Sequence, residues 1–251
     1  MAYPLAPISL TLCNSDGSIR KTCKSSLYEA AMTDLSILEK LPEKRYLSTY
    51  FLDLAATVRT QLKQCETIKQ LAWRIINSVP GQFDEIFIVR DTYLPNSIKD
   101  RERRLRGEGK RYVIKSTSMK LPSDMADFLR NGQNKEMLFN LLETAIIEEK
   151  TQLGEKTVYY SNKSWCTKIT STTSSRVDAL VNDHEEADTK LVALVNSCNL
   201  AGNTVLVQSP SGDIDILVLF LLHQFENKRV LIDNGTGKSR KDNRYVVNEF
   251  D

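Results

Sequence analysis

His184-Glu185-Glu186-Ala187-Asp188-Thr189-Lys190-Leu191, then Thr204-Val205-Leu206-Val207, then Ser209-Pro210-Ser211-Gly212-Asp213-Ile214-Asp215 is the stretch that decides the fold. A helix-like pattern carrying Glu185, Glu186 and Asp188 at its head leads into one apolar strand, and Asp213 and Asp215 follow that strand directly. Five carboxylates thus fall within thirty-one residues, flanked by Leu191, Leu194 and Val195 on one side and Val205 to Val207 on the other. On a packed scaffold a cluster of like charges is unfavourable unless something offsets it, and a cation between the acids would do so. Each half also has a plain structural reading. Asp183 and Glu186 have the spacing of a helix cap with its third-position acid, and Gly212-Asp213 is a good turn. Neither of these explains why both groups stand beside one strand.

Working outward, three short apolar runs end in an acid. Tyr46 to Leu52 ends at Asp53, Glu85 to Val89 at Arg90-Asp91, and Thr204 to Val207 leads to Asp213 and Asp215. A single helical pattern (Ala55, Val58, Leu62, Ile68, Leu71, Ile75, Ile76) links the first two and stops near Pro80-Gly81. Strands without polar alternation, separated by a helix, predict a parallel sheet covered on both faces. The expected fold class is α/β, three layers with a central mostly parallel sheet. Ligands of such sheets bind at the carboxyl ends of the strands, where these acids fall.

The remaining chain supplies further elements. Residues 1–45 read as an N-terminal extension packed on the core, turn-rich at first and then helical from Ser26 to Lys40; residues 46–251 read as the main domain. A helix is predicted from Asn134 to Lys150, and strands at Thr157 to Tyr160, Trp165 to Ile169, Arg229 to Ile232 and Tyr245 to Val247. Ser171 to Ser175 reads as a flexible turn. Gly235-Thr236-Gly237-Lys238-Ser239 ends like a phosphate-binding loop but lacks the first glycine of that motif and a following helix pattern.

Between Lys99 and Arg111 seven basic residues face three acids, and Lys99, Arg103 and Arg106 share one helical face. A solvated, salt-bridged helix would show the same run. This one begins eight residues after a strand-end acid, and a phosphate-bearing substrate would account for both features.

Composition excludes several classes. The chain has 251 residues, a net charge of +2 and 41% apolar residues, ordinary for a globular protein. Its longest apolar run, Ile216 to Leu222, is too short to cross a bilayer, and no secretory signal is recognisable, so no membrane partner is expected. Five cysteines without a Cys-x-x-Cys pair point to reduced thiols and an intracellular location, the nucleus included. With only His184 and His223 present, a histidine-based metal site is not expected.

Glu186-Ala187-Asp188, a strand, and then Asp213-Ile214-Asp215 together resemble the Glu-Ala-Glu and Asp-x-Asp signature of the flap endonuclease (XPG-type) nucleases of the PIN-like superfamily. Asp53, then Asp91 with Lys99 and the arginine-rich segment, come in the same order and at similar spacing. The His184 to Lys190 and Ser209 to Leu219 segments are similar to those of a set of animal proteins, often associated with mobile elements, that carry such a domain. The resemblance spans about residues 46 to 222.

It implies a metal-dependent phosphodiesterase in which Asp53, Asp91, Glu186, Asp188, Asp213 and Asp215 hold two divalent ions roughly 3.5–4 Å apart. Carboxylate-only ligation suits Mg2+ or Mn2+. Lys99 and Arg106 resemble the family's basic pair on the scissile phosphate, and Arg103 and Arg104 would follow the DNA or RNA backbone. The sequence departs from the family at two points. Thr92 stands where the family has glycine, and a further Gly-x-Asp segment and helix-turn-helix clamp do not appear before Asp251, so a truncated member is expected. Two other readings stand beside the nuclease. One is a catalytically degenerate nucleic-acid-binding or interaction module; the other is a haloacid-dehalogenase-type phosphatase, for which Asp213-Ile214-Asp215 comes late in the chain.

Overall fold

The computed structural model describes residues 14, 18, 47–93, 105, 107, 109–163, 165–197, 204–208, 214–223, 225, 229–233 and 244–247. The chain divides into two compact units, Met1–Asp34 and Leu35–Asp251. The predicted helix from Ser26 to Lys40 and the loop at Asn234 to Asn243 lie outside the described residues.

The second unit is built on one eight-stranded sheet: β1 (Leu47–Asp53), β2 (Glu85–Val89), β3 (Thr157–Ser161), β4 (Cys166–Ile169), β5 (Ser174–Val177), β6 (Thr204–Gln208), β7 (Arg229–Asp233) and β8 (Arg244–Val247), in the order β5-β4-β3-β2-β1-β6-β7-β8. The five central strands, β3 to β7 in sheet order, are all parallel. β4 and β5 close one edge and β8 the other, each pairing antiparallel. The mostly parallel α/β sheet expected from the uniformly apolar strands is therefore present.

Among the described residues six α-helices accompany it: α1 (Leu54–Gln61), α2 (Ile68–Ser78), α3 (Met125–Arg130), α4 (Gly132–Glu148), α5 (Ala187–Ser197) and α6 (Ile214–Leu222). On one face Tyr50, Leu52, Ile86, Ile88, Val158 and Leu206 join the apolar stripes of α2 and α4 in a single core. The opposite face carries Phe51, Phe87 and Tyr159, which are in register and stack at 4.5 and 4.4 Å between centroids. There α5 lies across β1 and β2 and packs on α6. Alternate residues of each central strand thus enter opposite cores, which explains why those strands show no polar alternation.

Three details differ from the sequence expectation. The helical pattern after Asp53 is not one helix: α1 ends at Gln61, a short 3-10 turn follows, and α2 begins anew behind Thr67. Thr67 accepts from the Gln70 amide while the Gln70 side chain accepts from the Thr67 amide, a capping box that starts a second helix. The turn in the Ser171 to Ser175 stretch is followed at once by β5, an exposed edge strand held by its pairing to β4. Finally, α5 starts at Ala187, with the Glu186 carbonyl accepting from the Lys190 amide, so Asp183 is not its cap.

β1, β2 and β3 succeed one another toward one edge, and the chain then returns to place β6 and β7 on the other side of β1. The strand order reverses between β1 and β6, and the crevice outside the carboxyl ends of these two strands is where such a sheet offers a site. Among the described residues no helix is long and apolar enough to cross a membrane. Cys65 and Cys166 are free thiols.

Candidate acidic site at the strand ends

Asp53 is the last residue of β1 and also the cap of α1; its Oδ1 accepts from the amides of Ala55 (2.8 Å) and Ala56 (3.2 Å). The cap explains why the chain turns into a helix directly after the strand. It does not explain the electrostatics. Although the residue keeps partial exposure, desolvation of its carboxyl, reinforced by the charge of Asp91, pushes its pKa up from 3.8 to about 6, against the opposing effect of the two amides and Arg59. Two carboxyls at the ends of neighbouring parallel strands therefore share one field, and one of them resists ionisation.

Asp91 is fixed by groups from far along the chain. Its Oδ1 accepts from the Ala187 amide at 2.9 Å, and its Oδ2 from the Tyr93 hydroxyl at 3.3 Å. The amide of the next residue, Thr92, donates to the Glu185 carbonyl at 2.7 Å. The turn that carries Glu185, Glu186 and Asp188 is thereby tied to the end of β2. Glu186 and Asp188 are half-buried, Glu186 immediately before α5 and Asp188 in its first turn. Asp215 sits exposed in the first turn of α6.

Of the six carboxylates expected to act together, the structure brings Asp53 and Asp91 into mutual influence and attaches the Glu186 turn to Asp91. Asp213 lies outside the described residues, and among the described residues no three of His, Cys, Asp and Glu converge closely enough to hold a metal ion. Lys99, Arg103, Arg104 and Arg106 also lie outside the described residues. Of the basic stretch, Leu105 is helical and Gly107 has φ 84°, a left-handed conformation that favours glycine and commonly ends a helix. Lys110 and Arg111 therefore lie past the helix end, and both are exposed. Arg111 donates to Gln133 and Arg130 to the Gly107 carbonyl, while Lys135 stands 4.7 Å from the centre of the Tyr93 ring. Of these cations Lys135 stands over the Tyr93 ring, whose hydroxyl donates to Asp91.

Sequence reasoning missed two buried cations behind the acids. Arg90 is fully buried, its guanidinium held by Glu136 and Asn140 and lying 5.7 Å from the Phe139 ring centre. Lys190 is fully buried as well; its Nζ donates to the Arg90 carbonyl (3.1 Å) and the Thr92 hydroxyl (2.6 Å). Desolvation and the nearby Arg90 charge lower its pKa from 10.5 to about 8, opposed by Asp91 and Glu136. A signal for Lys190 was present: with Ala187, Leu191 and Leu194 it falls on the apolar stripe of its helix. Thr92 is buried too, so its side chain is turned into the protein rather than displayed at the strand end.

No family model matches the chain, and no curated protein matches its sequence.

Proposed function

We propose that this chain is a divalent-metal-dependent nuclease of the PIN-like, flap-endonuclease type, hydrolysing phosphodiester bonds of DNA or RNA. The observation that carries the reading is the pair Asp53 and Asp91 at adjacent strand ends, where burial and then the charge of Asp91 raise the Asp53 pKa to about 6, with the Glu185 to Asp188 turn bonded to Asp91. An all-oxygen donor set with excess negative charge fits a hard cation, Mg2+ or Mn2+. Asp53, Asp91, Glu186, Asp188, Asp213 and Asp215 are the residues that would hold it. When bound, such ions supply an activated water and stabilise the leaving oxygen.

The protein's own groups do the rest. The Ala55 and Ala56 amides hold one oxygen of Asp53, leaving the other available as a ligand, and the Ala187 amide and Tyr93 hydroxyl orient Asp91. Lys99 and Arg106 would grip the scissile phosphate, with Arg103, Arg104 and the exposed Lys110 and Arg111 along the backbone, giving salt-sensitive binding without base preference.

A second reading, a binding module that has lost catalysis, is favoured by the lack of a three-carboxylate group among the described residues. One experiment separates the two. Labelled single-stranded, 5′-flap and duplex DNA and an RNA strand are incubated with wild type and with Asp213→Asn/Asp215→Asn, in Mg2+, Mn2+ or chelator. We expect metal-dependent product from wild type and a loss of at least about a hundredfold in the double mutant, whose fold by circular dichroism is unchanged. Binding equal with and without metal, and no product, would establish the module instead.

A further inference from the structure

We infer that Lys190 is a positioning residue of the acidic site: its buried ammonium fastens the end of β2 to the first turn of α5, and so fixes Asp91 relative to Glu186 and Asp188. The inference rests on the metal-nuclease reading and adds to it a residue outside the ligand set. The joint includes three contacts besides the Lys190 bond to the Arg90 carbonyl. The Thr92 amide reaches the Glu185 carbonyl, the Ala187 amide reaches Asp91 Oδ1, and the Thr92 hydroxyl accepts from Lys190 at 2.6 Å. Lys190 also reaches the Arg90 carbonyl, so one side chain of α5 holds residues on both sides of Asp91.

A plain packing role does not account for this. An ammonium with no exposure, near the Arg90 charge, carries a desolvation cost that a methionine of similar length would avoid. What the lysine supplies and an apolar residue cannot is directional bonding to the backbone at Arg90 and to the Thr92 hydroxyl. Arg90 and Thr92, on either side of Asp91, are both buried. Joints of this kind around a metal ligand typically alter metal affinity by 10- to 100-fold when broken.

The test uses the full chain, with Mn2+ as the probe, in wild type, Lys190→Met, Thr92→Val and Thr92→Ser. Mn2+ binding is followed by electron paramagnetic resonance of the free ion, and amide exchange is read at Thr92 and Ala187. We expect Lys190→Met and Thr92→Val to weaken Mn2+ binding by about tenfold or more and to speed exchange at both amides. Thr92→Ser, which returns the hydroxyl, should recover affinity to within a few-fold. If Lys190→Met does not fold, Thr92→Val, which preserves shape, carries the test. Wild-type Mn2+ affinity retained in the Val variant with unchanged exchange would overturn the role of Lys190 alone. Wild type that binds no Mn2+ would overturn the nuclease reading itself, and the role with it.

Discussion

Asp53→Asn is expected to stabilise the metal-free protein at pH 8 and to abolish metal-dependent cleavage. Asparagine caps a helix about as well as aspartate, so the bonds to the Ala55 and Ala56 amides survive. What disappears is a charge that the site disfavours. A carboxyl raised from 3.8 to about 6 represents at most ~3 kcal/mol of unfavourable ionisation. Its partial exposure screens this to about 1–2 kcal/mol, or a few degrees in Tm.

The sign follows from linkage. The folded protein binds the Asp53 proton more tightly than the unfolded chain, so this contribution to stability is complete below about pH 4 and is lost as the pH rises through 6. Wild type and Asp53→Asn should therefore differ little at pH 4 and most above pH 7. Saturating Mg2+ should reverse the order, because only wild type gains binding energy. Urea denaturation at pH 4.5 and 8, with and without Mg2+, checks all three points. An Asn variant less stable than wild type at pH 8 without metal would show that Asp53 is held there as an ordinary cap.

Arg90→Met is expected to destabilise the protein by about 3 kcal/mol, because it leaves Glu136 and Asn140 without the cation they enclose. The Glu136 side chain is 30% exposed, so water recovers part of the loss and the effect should fall toward the lower end of the range for broken buried pairs. The Arg90→Met/Glu136→Leu double variant should regain at least half of it, since replacing both charges with apolar groups removes the desolvation cost along with the attraction. Denaturation midpoints of wild type, Arg90→Met, Glu136→Leu and the double variant form the cycle that measures the coupling. A double variant no more stable than Arg90→Met would mean that an unpaired Glu136 is not what the single variant suffers from.

The parts of the fold legible in the sequence are those whose cause is local. β1, β2, β6 and β7 announce themselves because both of their faces are buried, and Asp53 and Asp91 could be placed together because parallel strands end on one side. The break between α1 and α2 was also written locally, in Thr67 and Gln70, but the continuing apolar period from Ala55 to Ile76 hid it. β5 was not legible, since Ser174 to Val177 have no buried face and become a strand only by pairing with β4. Lys190 was legible as a position on an apolar stripe but not as a buried cation. Its burial depends on the Arg90 carbonyl and the Thr92 hydroxyl, about a hundred residues earlier in the chain.

The reversal of strand order between β1 and β6 also bears on the order in which the candidate site is assembled. β1 pairs with β2 about 35 residues later but with β6 at a separation of more than 150, as Tyr50 opposite Ile86 and Leu206 shows. Contacts that close long loops form late, because their entropy must be met before they return anything. The β1-β2-β3 half can thus assemble as a local unit. The turn that holds Asp91, and the strand that leads to Asp213, arrive with the last quarter of the chain. On the nuclease reading proposed above, a chain still folding, or still emerging from the ribosome, would carry Asp53 and Asp91 but no completed site, so cleavage would wait until β6 and the Glu185 to Asp188 turn had docked.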